Sequence, residues 1–194
     1  MQLTIKAGSH FTSGFRRWLN ALPWVGKREI SRRVSFDDSC VYDSPAYNQD
    51  DVNKLFGLSF GFKLRKDVRG KWDFGTHWNS ARFGWVWSDK YQLWKLLAYV
   101  YREGVLQHDE QLRFPEVCRV KRQEEAEHLT IQYNSDEWSN GGPHFHFSAK
   151  VLGVVSVTQV KTVERLPHYG QRLGFYFGGA RVTPHQMSAR VHWI

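Results

Sequence analysis

The amino-acid sequence predicts an all-β protein. The expected form is a two-sheet antiparallel β-sandwich of jelly-roll type, with about a dozen strands and at most one or two short helices. Three observations predict it. Apolar and polar residues alternate with period two through most segments, and few segments show a helical period. Turn-forming residues recur at roughly regular spacing. Strands at this density leave no room for the helical crossovers of a parallel sheet.

In chain order, Gln2 to Lys6 reads as an opening strand. Phe11 to Lys27 is an aromatic and basic excursion, with Ser13 to Leu22 a short helix ended by Pro23. Glu29 to Phe36, EISRRVSF, alternates cleanly except at Arg32. Asp50 to Leu55 is the second candidate for a short helix. Leu55 to Leu64 is an apolar strand punctuated by glycine, and Ser80 to Trp87 is strand-like. Ser88-Asp89-Lys90 turns the chain into Tyr91 to Tyr101, and Arg102-Glu103-Gly104 turns it again into Val105 to Leu112. Val117 to Lys121, His128 to Tyr133, Pro143 to Ala149, Val154 to Val163, Arg172 to Phe177 and Gln186 to Trp193 complete the series. No repeat, linker or low-complexity tract divides the chain, so residues 1–194 read as one domain.

A chain of 194 residues with 41% hydrophobic content can bury roughly 70% of its unfolded surface without help from a metal or disulfide. Cys40 and Cys118 stand in no metal-binding spacing and read as two buried thiols, although spacing alone leaves a bridge open. The net charge is +8, and basic residues crowd the first part of the chain: Arg16, Arg17, Lys27, Arg28, Arg32 and Arg33, then Lys63, Arg65, Lys66, Arg69 and Lys71. Such a balance favours polyanionic partners without choosing among them. The first residues, MQLTIKAGSHF, do not have the pattern of a signal peptide, and no apolar run reaches the length of a membrane span. The expected setting is cytoplasmic or virion-associated.

Three stretches could carry chemistry. In THWNSARFGWVW, Thr76 to Trp87, the strand would turn Ala81, Phe83, Trp85 and Trp87 to the core and Arg82, Gly84 and Val86 away from it. His77, Trp78 and Asn79 would then stand at its mouth as a ligand lip. In GFYFGGARVTPH, Gly174 to His185, Phe175 and Phe177 face opposite to Tyr176, and Gly178-Gly179 permits a turn or bulge. In GGPHFHF, Gly141 to Phe147, His144 and His146 share one strand face, but no third metal ligand is identifiable nearby. No nucleophile elbow, phosphate loop or catalytic-cysteine context is present. No cofactor and no metal are expected.

KLFGLSFG, HWNSARFGW, LLAYVYREG and LGFYFGG, with a Pro-His a few residues later, resemble an uncharacterised family of small bacterial and phage-associated β-sandwich proteins. The resemblance runs from Ile5 to Ile194, and KLRKDVRGKWDFG, Lys63 to Gly75, looks like an insertion relative to it. It implies a concanavalin-like layout and no particular activity.

The leading functional expectation is a non-enzymatic binding module for a glycan. Trp78 would stack on sugar, Asn79 and Arg82 would hydrogen-bond it, and His77, His10 and His185 would lie nearby. Trp18 and Trp24 offer a second candidate surface. One alternative is a structural phage virion component that self-associates through the apolar residues of Phe11 to Lys27. Another is a nucleic-acid-binding or inhibitor protein that uses the basic segments.

Overall fold

A computed structural model of the chain describes residues 1–12, 23–26, 28–42, 52–61, 65–66, 72–73, 78–107, 116–135, 142–162, 165–178 and 182–193. The described residues form a six-stranded and a seven-stranded antiparallel sheet, packed face to face. The first is built from β1 (Gln2–Ile5), β3 (Glu29–Phe36), β11 (Glu125–Asn134), β12 (His144–Val151), β13 (Val154–Lys161) and β15 (Met187–Trp193), in the order β1-β15-β3-β11-β12-β13. The second is built from β2 (Pro23–Val25), β4 (Asn53–Ser59), β7 (Ser80–Ser88), β8 (Leu93–Arg102), β10 (Glu116–Lys121) and β14 (Tyr169–Leu173), in the order β10-β8-β7-β4-β14-β2, with β9 (Val105–Gln107) added beside β8. A small hairpin of β5 (Arg65–Lys66) and β6 (Trp72–Asp73) lies within the expected insertion.

The core is the space between the two inner faces. Ala81, Phe83, Trp85 and Trp87 of β7 point into it, as their alternation predicts. Phe83 meets Phe147 of β12 edge-on at 5.3 Å, and Phe60 meets Phe145 at 5.3 Å, so aromatic contacts bridge the two layers. Removing one such ring would cost about 3–5 kcal/mol. Both cysteines are free and buried. Burial pushes each thiol up to about 12, which leaves almost no thiolate at neutral pH.

Several sequence expectations change here. The helix expected at Asp50 to Leu55 does not form over its described residues: Asn53–Ser59 is a strand between β7 and β14, buried at every position. Pairing on both edges outweighs a short helical pattern. The strand expected at Arg172 to Phe177 ends at Leu173, and residues 174–178 instead cross beside β4 through a bridge between Tyr176 and Lys54. Arg32 does not break the alternation of β3. It enters the sandwich in pattern, 7% exposed, in a cleft that also contains Arg172. Desolvation lowers its guanidinium to about 10, with the like charge of Arg172 adding to the effect. Trp24 is not a surface residue: it lies in β2, 4% exposed, edge-on to Phe60 at 5.2 Å. The proposed helix Ser13 to Leu22, including Trp18, lies outside the described residues.

Candidate functional site

The outer face of the seven-stranded sheet turns away from the core. Its side chains are set by strand register across β4, β7 and β8. Lys54 pairs with Gly84 and Gly84 with Leu97; Gly57 pairs with Arg82 and Arg82 with Tyr99; Ser59 pairs with Ser80 and Ser80 with Tyr101. Residues opposite one another in neighbouring strands share a face. These three rows therefore place Lys54, Arg82, Ser80, Tyr99 and Tyr101 on one surface.

A β-bulge makes the arrangement possible. Between Lys54 and Phe56 the register shifts by one residue, so Lys54 faces outward opposite Gly84 while Phe56 faces the core opposite Phe83. Under strict alternation these two side chains would share a face. Bulges re-aim side chains in this way, and they are over-represented near functional sites.

Two glycines clear the space. A Cβ at Gly57 would stand 2.1 Å from the carbonyl oxygen of Ala81 and 2.8 Å from Cγ of Arg82. A Cβ at Gly84 would stand 2.4 Å from Val52 and 3.5 Å from Cβ of Tyr99. Arg82 therefore lies across a strand position that has no side chain of its own.

Residues 176–178 strap the cluster. Lys54 and Tyr176 exchange backbone hydrogen bonds, each 2.8 Å long. The buried Asn53 amide oxygen accepts from the backbone N–H of Gly178 at 2.7 Å, and Lys54 Nζ donates to the Gly178 carbonyl at 3.3 Å. This places the Lys54 ammonium 4.8 Å from the ring centroid of Tyr99 and 5.5 Å from that of Tyr176. Both rings favour the cation. His10 stacks on Tyr176 at 5.3 Å with an interplanar angle of 8°, and its Nδ1 donates to the Phe177 carbonyl at 2.9 Å. In the neutral ring this leaves Nε2 as the acceptor nitrogen.

Electrostatically, the site consists of buried cations with phenols around them. Arg82 and Lys54 are each 4% exposed, whereas Tyr101 and Tyr176 are only partly buried. Burial lowers the Arg82 guanidinium to about 10, and the hydroxyls of Tyr99, Tyr101 and Tyr176 pull in the opposite direction. It stays cationic at neutral pH. Tyr99 Oη donates to Tyr101 Oη at 3.3 Å. The Ser80 hydroxyl is fully buried on the same face and makes no hydrogen bond among the described residues. A second apolar cluster, Val52, Leu97 and Tyr99 with Val86, Tyr101 and Leu106 against it, floors the rest of this face.

The six residues proposed from sequence separate. Arg82 is at the centre of the cluster and His10 at its rim. Trp78 and Asn79 have a structural task at the end of β7: Asn79 Oδ1 accepts from the backbone N–H of Glu103 at 2.9 Å, and Trp78 accepts at its carbonyl from Gly104 N–H at 2.8 Å. His185 is exposed and shares a hydrogen bond with the Ser39 carbonyl at 2.8 Å, among different neighbours from those of the cluster. His77 lies outside the described residues. Among the described residues no group of three or more histidine, cysteine or acidic side chains is placed to hold a metal ion. The site therefore extends from Arg82 toward Tyr99, Tyr101, Lys54 and Tyr176, which the sequence reading left out. The alternation of Tyr99 and Tyr101 opposite Ser80 and Arg82 was a usable clue. The outward turn of Lys54 was not, because it depends on the bulge.

No protein-family model matches the chain, and no curated protein sequence is similar to it. Solved structures do share its fold. The structure of alginate lyase Aly36B superposes with a TM-score of 0.52 at 13% identity, covering 99% of this chain and 78% of that one. Alginate lyase vAL-1 from Chlorella virus superposes with a TM-score of 0.52 at 14% identity, covering 99% of this chain and 81% of that one. At these identities the likeness is one of fold.

Proposed function

We propose that the chain acts on an acidic polysaccharide, binding its uronate units on the outer face of the seven-stranded sheet and cleaving them by β-elimination. The observation that carries this reading is the gathering of Arg82 and Lys54 with Tyr99, Tyr101 and Tyr176 on one sheet face. Two proteins of this fold being alginate lyases supports it from outside the chain.

The chemistry fits the residues. Eliminating a 4-linked uronate removes the proton on C5, breaks the C4–O4 bond and leaves a 4,5-unsaturated ring. The carboxylate beside C5 must be neutralised before that proton becomes acidic. Arg82 offers a planar, bidentate partner for a carboxylate, and Lys54 adds a second positive charge. Tyr176, as its phenolate beside Lys54, would take the C5 proton, and a neutral phenol of the hydrogen-bonded Tyr99–Tyr101 pair would give its proton to the departing O4. The partly exposed residues of the apolar floor, Val86 and Leu106, would position the ring.

The test is the ultraviolet absorbance of the unsaturated product. Incubation with alginate and other 4-linked uronate polymers should raise it, and Tyr101→Phe should slow the rise by about 10²-fold or more. A glycan-binding module without catalysis would use the same cations and rings, so binding with no new absorbance would favour that reading.

A further inference from the structure

The outer face continues beyond Tyr99. Along β8 toward its start, Leu97 and then Lys95 share the outward direction. Lys95 pairs with Val86 on one side and with Arg119 of β10 on the other. The turn between β7 and β8 brings Tyr91 over this pair. Lys95 Nζ lies 5.5 Å from the Tyr91 ring centroid, Lys90 Nζ lies 5.2 Å from it, and the Arg119 guanidinium carbon lies 6.0 Å from it. The ring is 51% exposed.

Glu116 touches this group, accepting from Arg119 Nε at 2.6 Å and lying 3.9 Å from Lys95 Nζ. Three cations outnumber Glu116 and the turn's Asp89, which leaves the patch positive. Lys95 is four residues from Tyr99 along β8, about 13 Å, the length of between two and three pyranose units. Val86 and Leu97 lie between the two patches as an apolar floor.

We propose that Tyr91, Lys95 and Arg119 form a second sugar-binding platform that takes further acidic units of the same polysaccharide chain. This rests on the uronate reading of the Lys54–Arg82 site. Charge complementarity and a continuous face argue for one extended occupant. The half-exposed Tyr91 ring offers a stacking surface to a pyranose, and the cations around it offer partners to carboxylates.

The test is affinity against oligomer length, by calorimetry with defined oligouronates. A dimer is long enough for the Arg82 site alone, and an octamer is long enough for both. Wild-type protein should bind the octamer at least about tenfold more tightly than the dimer. Tyr91→Ala and Arg119→Gln should each remove most of that gain and leave dimer affinity unchanged. Octamer affinity unchanged in both variants would overturn the platform while leaving the central site standing. Equal loss for dimer and octamer would also overturn it. If wild-type protein bound neither oligomer, the uronate reading itself would fall, and the platform with it.

Discussion

At the scale of single residues, the proposed function rests on Arg82, a charge buried within a sheet face. Its side chain lies over Gly57 in a space that any Cβ would fill. Gly57→Ala should therefore act on both folding and function: overpacking would cost about 1–3 kcal/mol in chemical denaturation, and activity would fall as Arg82 is displaced. Arg82→Lys keeps the charge and loses the planar fork, so it should fold while losing most carboxylate recognition. Retention of full uronate affinity by that variant would remove Arg82 from its assigned role. The cysteines give a pH prediction. Their folded-state pKa is raised to about 12 from an ordinary value of 9.0, so the native state holds protons that the unfolded chain releases. Their contribution to stability is complete below about pH 9 and is lost as pH rises toward 12. Thermal denaturation across that range should show a falling midpoint, less steep in Cys40→Ala and Cys118→Ala.

At the scale of elements, most strands were legible because period-two alternation over buried positions has few other solutions. Glu29–Phe36 has the expected bounds, and β7 differs by one residue. The exceptions have physical causes. A bulge in β4 breaks the alternation that sequence reasoning relies on, and so hid Lys54. The three-residue strand β2 is too short to show a period, and it exists because β14 offers it an edge. The reading of Trp78 and Asn79 as a ligand lip missed a contact between distant turns. Residues Glu103 and Gly104 between β8 and β9 have φ of 50° and 79°, the left-handed pair of a tight hairpin turn, and Asn79 and Trp78 hold that turn in place. A Cβ at Gly104 would meet the Trp78 ring at 3.2 Å. Asn79→Ala should thus lower stability by about 1 kcal/mol in urea denaturation and leave the affinity for oligouronates within twofold. A large loss of affinity at unchanged stability would return Asn79 to the binding site.

At the scale of the whole molecule, the two outer faces differ. On the six-stranded sheet, Ser31 and Thr130 share a hydrogen bond at 2.8 Å across β3 and β11, and the neighbouring outward positions include Gln132, His146 and Ser148. The seven-stranded sheet carries buried cations, phenols and an apolar floor instead. The six-stranded face is polar at its centre and apolar along β13, where Val155 and Val157 are exposed, whereas the seven-stranded face sets cations among phenols. The basic balance of the chain pointed to polyanions without identifying this face, because the decisive cations, Lys54 and Arg82, come from two separate strands and a bulge turns one of them outward. The measurement that tests the central claim most directly compares binding of an oligouronate with binding of the same oligomer after its carboxylates are reduced to alcohols, in wild-type and Arg82→Lys protein. Wild-type protein should bind the acidic form at least about tenfold more tightly, with the difference shrinking as salt is added, and Arg82→Lys should lose most of it. Equal affinity of wild-type protein for the acidic and reduced forms would contradict the account, because the Arg82–Lys54 cluster would then not be reading a carboxylate.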